Sequence, residues 1–189
     1  MTNGAIMPDL ADSVEDPDAQ LLALELSGEL EAPPLLYEQL RYDLQRIREA
    51  YPVVRGVRFF GGWEPGVILH YRDLSAATGL GQLLTPRPFR ITEDVWHLPQ
   101  RFHPEVLARQ WQATMIPGPT ASLRRIDHPM NNITADPVTR QYEFLVAWGD
   151  CIAGCIFKHR WVFAAAGDAV RLLEETGPPV ELFPSSTSQ

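Results

Sequence analysis

The last third of the chain constrains the fold most. Tyr142, Phe144, Val146 and Trp148 alternate with more polar neighbours, and Phe157, His159, Trp161 and Phe163 repeat the pattern. Alternation puts one set of side chains on one face, so both stretches read as half-buried β-strands. Gly167-Asp168 separates Trp161–Ala166 from Ala169–Glu174. A two-residue break of this kind makes a tight hairpin loop, since glycine enters positive φ at no steric cost. The resulting register sets Phe163 opposite Leu172 and Arg160 opposite Glu175, an apolar pair and an opposite-charge pair. The expectation is an antiparallel three-strand meander over 138–176, closed by Gly177-Pro178-Pro179.

Upstream, the pattern changes. Val67 to Tyr71 reads as a strand, and Asp73 or Ser75 can cap a short helix toward Leu84. Pro86 to Ile91 and Val95 to Leu98 are extended, separated by a Thr92-Glu93-Asp94 turn. Pro104 starts a helix with Leu107, Trp111 and Met115 on one face; Pro117-Gly118-Pro119 ends it, and Ala121 to Ile126 is the next strand. The order strand, helix, strand, strand, helix, strand over 67–126 is the ferredoxin-like βαββαβ arrangement. Two consecutive middle strands exclude a parallel doubly wound sheet.

Before this unit, Leu36, Leu40, Leu44, Ile47 and Tyr51 form an apolar stripe at helical spacing between Pro33-Pro34 and Pro52. Glu38 early and Arg46 and Arg48 late suit the helix dipole. Leu21 to Leu26 reads as a short strand, Val57 to Phe60 as another, and Trp63-Glu64-Pro65-Gly66 as a turn. The fold class is therefore α+β: an N-terminal helix, a ferredoxin-like centre and a C-terminal meander. Residues 1–18 are acidic, contain proline and read as a disordered leader; 19–183 form a single domain; 184–189 are a flexible tail.

Charge narrows the function classes. The 189 residues carry a formal net charge of -8 and no basic stripe, which argues against a nucleic-acid partner. Lys158 is the only lysine, so Schiff-base chemistry would rest on that single strand residue. No apolar run is long enough for a membrane span, and residues 1–18 lack the build of a signal peptide. An extracytoplasmic location is expected if an upstream signal was removed, and a cytoplasmic one if Met1 is the true start.

The two cysteines, Cys151 and Cys155, sit between the alternating stretches, with His159 four residues further on. A fully extended spacer would hold their Cα atoms about 13 Å apart, beyond disulfide reach, so a bridge needs a tight turn. Gly149 and Gly154 permit one. Three readings stand side by side: a disulfide, two buried thiols, or a metal or redox site. For metal, Cys151, Cys155, His159 and Asp150 offer ligand types that zinc accepts. Yet His159 lies on the apolar face of its strand, where a lone histidine is usually a hydrogen-bonded core residue. The three-residue spacer also departs from the thioredoxin pattern.

Two resemblances attach to these residues. Trp148-Gly149-Asp150-Cys151-x-x-Gly154-Cys155-Ile156-x-x-His159-x-Trp161 is similar to a motif in uncharacterised bacterial proteins, many of them exported; they usually carry proline where this chain has Ile152. That resemblance implies a shared fold and carries no activity. Trp63-x-Pro65-Gly66-Val67-Ile68-Leu69-His70-Tyr71-Arg72, with Arg101-Phe102-His103-Pro104 and Ile116-Pro117-Gly118, resembles subtilisin-type propeptides and their stand-alone inhibitor relatives. The match covers about 60 residues and implies a ferredoxin-like domain that binds a protease surface. The Ala-Glu-Pro-Asn ending of such propeptides is missing near Leu123-Arg124-Arg125.

Other chemistry finds less support. No Gly-x-Ser-x-Gly elbow anchors a triad, although Asp127-His128 supplies two of its residue types. Glu174-Glu175 reads as a solvated edge. No motif implies a cofactor. Trp63, flanked by Gly62 and Pro65, is the tryptophan expected in a loop and available for contact. The function expected is a non-enzymatic protein- or peptide-binding module of the peptidase-inhibitor kind, using Trp63 and an exposed sheet edge. A metal- or thiol-dependent protein acting through Cys151, Cys155 and His159 is the alternative, and a small enzyme of unknown reaction comes third.

Overall fold

A computed structural model describes residues 16–61, 63–70, 85–89, 93–97, 102–114, 121–125, 131–151, 154–167 and 169–180. The helix expected toward Leu84, residues 1–15 of the leader, Asp127-His128 and the 184–189 tail lie outside the described residues. The chain is α+β and divides into two compact units, Met1–Pro33 with Trp63–Arg125, and Pro34–Gly62 with Ile126–Gln189.

The first unit begins with helix α1, Pro17–Ser27, in place of the strand expected over Leu21 to Leu26. The correction has a clear cause. The Asp16 carboxylate accepts the backbone N–H groups of Asp18 and Ala19 at 3.0 and 3.1 Å, and Pro17 fills the first turn. Gly28, at φ 61°, closes the helix with its N–H on the Leu24 carbonyl. Leu21, Leu22, Ala23 and Leu24 are all buried, so the run is apolar on every side and hides its helical period.

The sheet of this unit contains β1 (Trp63–His70), β2 (Thr85–Phe89), β3 (Glu93–His97) and β4 (Ala121–Arg125), in spatial order β2-β3-β1-β4 with every pair antiparallel. Helix α3, Pro104–Thr114, connects β3 to β4. Trp63 to Gly66 is not a turn. Trp63 pairs with Arg125 and the ladder resumes at Ile68 with Leu123, so Pro65-Gly66 falls in a bulge that absorbs the missing donor. Glu93 and Asp94 likewise pair with Phe89 and Pro88 rather than forming the turn. The two prolines of β2 fit an edge strand.

The second unit places helix α2, Pro34–Ala50, across a sheet. Its expected stripe is buried at Leu40, Leu44 and Ile47, and each such side chain contributes roughly 2 kcal/mol by leaving water. A 3₁₀ turn, Pro52–Val54, follows, and Val57 to Phe60 is not a strand; Phe60 donates its N–H to the Asn132 side chain at 2.9 Å.

The sheet has four strands where three were expected: β5 (Asn131–Asp136), β6 (Gln141–Trp148), β7 (Phe157–Ala166) and β8 (Ala169–Thr176), antiparallel in chain order. β5 carries one buried apolar residue, Ile133, too little for a readable period. Phe144, Phe163 and Tyr51 form a ring cluster, with centroids 5.5 Å apart for Phe144–Phe163 and 4.7 Å for Tyr51–Phe163. Phe163 faces Leu172 as expected, but Val162 faces Glu174, which leaves Leu173 as an extra residue in a bulge. Arg160 therefore pairs with Thr176 instead of Glu175, and Trp161 takes Glu175.

Candidate functional site

The connection between β6 and β7 is the most distinctive local structure. Cys151 and Cys155 form a disulfide across it. The turn is further closed by Gly154 N–H on the Cys151 carbonyl and Cys155 N–H on the Asp150 carbonyl, both 3.1 Å. Gly149 and Gly154 have φ of 96° and 105°, and Cys155 itself sits at 57°, where an L-residue is strained by about 1 kcal/mol. A Cβ at 149 would also lie 3.1 Å from the Cβ of Ile156, a tight contact that adds to the preference for glycine there.

Directly after the staple, Ile156 is 69% and Phe157 45% exposed. Phe157 stacks on Trp148 across the two strands, with centroids 5.6 Å apart and ring planes 28° from parallel. Leu35 and Val138 are exposed as well, on the first turn of α2 and on the turn between β5 and β6. The hairpin tip differs from them in grouping two adjacent apolar side chains and an aromatic stack on a covalently fixed turn. Sequence reasoning misses Ile156 and Phe157. Phe157 shares the parity of His159, which implies an inward side chain.

Deeper along β7, His159 is 4% exposed and covered by Trp161, whose ring centroid lies 4.1 Å away. Its Nδ1 is 2.7 Å from the Pro178 carbonyl oxygen and its Nε2 is 3.1 Å from a Glu175 carboxylate oxygen. The imidazole thus points inward, as its strand parity implies. Glu174-Glu175 is not a merely solvated pair: Glu174 holds Arg160 at 2.9 Å while Glu175 holds His159. Opposite-facing neighbours on a bulged strand explain why the two carboxylates go to different partners.

The metal reading loses its donors. Both sulfurs are in the disulfide, and both nitrogens of His159 face protein oxygens. Among the described residues, no group of three His, Cys, Asp or Glu side chains is placed to hold a metal ion. Trp63 lies in β1, and its side chain is outside the described residues.

The edge of the second sheet is attended too. Tyr51 accepts the Leu172 N–H on its hydroxyl at 3.2 Å, and the Leu173 bulge interrupts the strand. An open depression of about 250 Å³ lies on the sheet face, lined by Thr134, Asp136, Glu143, Arg160 and Val162 among others. Its charges are engaged with nearby groups: Arg160 bonds Glu143 at 2.7 Å, and the Asp136 carboxyl is held below its usual range by the Thr139 hydroxyl and by the Thr139 and Val138 amides. No described helix is long and apolar enough to cross a membrane. The chain matches no family model, no curated protein and no solved structure.

Proposed function

We propose that the chain is a non-enzymatic module that binds a protein or peptide through the tip of the β6–β7 hairpin. The observation that carries this reading is the exposure of Ile156 and Phe157 immediately beside the Cys151–Cys155 disulfide. Apolar side chains held in water beside a cross-linked turn are poised for a partner, because the disulfide has already restricted the backbone that presents them. Trp148 backs the contact by stacking on Phe157. The tip is favoured over strand addition at β8, where Tyr51 and the Leu173 bulge blunt the edge.

The first unit is proposed to be ferredoxin-like. The order β2-β3-β1-β4 with antiparallel neighbours and α3 between β3 and β4 supports it. This keeps a peptidase among the partners to test, in line with the resemblance to subtilisin-type propeptides. The disulfide favours an oxidising compartment.

The test is a peptide-display selection against the whole chain, run beside an inhibition assay with a subtilisin. Enriched sequences, or stoichiometric inhibition, competed by the wild-type chain and not by an Ile156→Ser/Phe157→Ser variant, support the proposal. Enrichment or inhibition indifferent to the double variant removes the tip from it, and neither enrichment nor inhibition removes the function.

A further inference from the structure

We infer that His159 carries a proton on both ring nitrogens in the folded chain, which makes His159, Glu175 and the Pro178 carbonyl a proton-dependent latch between β7 and the segment after β8. The geometry is the ground. Nδ1 lies 2.7 Å from a backbone carbonyl oxygen and Nε2 lies 3.1 Å from a carboxylate oxygen. A carbonyl only accepts, and so does an ionised carboxylate, so each nitrogen must donate. A neutral imidazole has one N–H and leaves the other contact as lone pair against lone pair.

Water cannot replace the missing donor, because the ring is 4% exposed and lies against Trp161. The charge of the ring is met locally. β6 places uncharged Val146 opposite His159, and 177–180 contains no ionisable side chain. On β7, Lys158 is exposed and Arg160 is held by Glu143 and Glu174. On β8, Glu174 is committed to Arg160, which leaves the Glu175 carboxylate as the counter-charge. Glu175 is 50% exposed, so solvent still stabilises its outer side.

The backbone is shaped for the same contact. Gly177, at φ 112°, approaches β7 so closely that a Cβ would meet the Lys158 carbonyl and lie 2.8 Å from the His159 Cα. That approach delivers the Pro178 carbonyl to Nδ1. Loss of the second proton breaks one end of the latch and loosens the end of β8 and residues 177–180 from β7.

The experiment is long-range ¹H–¹⁵N correlation through the imidazole of the ¹⁵N-labelled full chain, with amide exchange at Gly177 and Val180, as the pH is raised. The latch requires both His159 nitrogens to show protonated shifts. It also requires exchange, corrected for intrinsic rates, to rise about tenfold when the second proton leaves. Glu175→Gln should abolish that rise, since its amide can donate to a deprotonated Nε2. A single ring N–H throughout the folded range places the proton on Glu175 and overturns the inference. An identical rise in wild type and Glu175→Gln overturns it as well.

Discussion

Gly177 packs on β7 with no room for a side chain: a Cβ on it would lie 2.8 Å from the Cα of His159. The backbone there, at φ 112°, is one that L-residues rarely adopt. Gly177→Ala is therefore expected to destabilise the chain by about 2 kcal/mol or more in urea denaturation. Gly28 provides the contrast. It has φ 61°, and a Cβ added there would have nothing within 4 Å, so Gly28→Ala should cost only about 1 kcal/mol. Equal costs would show that close packing at 177 contributes nothing.

Asp43 is a buried carboxylate of the second unit, 0% exposed on α2. It pairs with the Arg140 guanidinium and accepts the Tyr142 hydroxyl at 2.6 Å. Burial first, and then the hydrogen bond and charge of Asp43, push the Tyr142 hydroxyl far above the ordinary tyrosine range. Asp43→Ala should cost about 3 to 5 kcal/mol, because it strands the two partners. Tyr142→Phe should cost about 2 kcal/mol. In an ultraviolet pH titration, one tyrosine should ionise only on unfolding in the wild type, and that signal should vanish in Tyr142→Phe.

Much of this unit is legible in the sequence. The Leu40, Leu44 and Ile47 stripe identifies α2, and the Gly167-Asp168 break identifies the β7–β8 hairpin. Asp43 is not, since a carboxylate beside an apolar stripe looks solvated until Arg140 and Tyr142 arrive from nearly a hundred residues away. The Leu173 bulge escapes for a similar reason: one extra residue shifts Arg160 from Glu175 to Thr176 without leaving a mark in composition. At α1, a continuous Leu-Leu-Ala-Leu run conceals the period, and Asp16-Pro17 is the signal that marks the helix start. The site is half legible. The cysteine turn stands out, whereas the outward aim of Ile156 and Phe157 depends on how that turn closes.

His103 gives the first unit an acid limb. Burial holds its imidazole below the ordinary value of 6.5, against the raising pull of Glu25 and Glu105. Its Nδ1 accepts the Glu105 N–H at 3.2 Å at the start of α3, a bond that protonation removes. A depressed histidine stabilises in its neutral form. The contribution is full above the unfolded value and is lost as the pH falls from about 6.5 toward the folded one. His103→Asn keeps a capping acceptor and does not titrate, so its denaturation midpoint should fall less steeply with acid than that of the wild type. Parallel acid limbs would contradict this.

The disulfide closes a small ring, and its loss should cost about 2 kcal/mol on the chain-entropy scale. The double substitution Cys151→Ala/Cys155→Ala should lower the urea midpoint accordingly. It should also free the Cys155 backbone from φ 57°, seen as faster amide exchange at Ile156 and Phe157. Unchanged exchange would mean that the glycines alone hold the turn.

Recognition by the hairpin tip is tested most directly by calorimetry with the strongest ligand from the display selection. Binding to the wild-type chain and to Ile156→Ser/Phe157→Ser is compared, with thermal midpoints as the control for folding. The binding module predicts at least about a tenfold loss of affinity in the variant at an unchanged midpoint. Equal affinity for the two chains would contradict it.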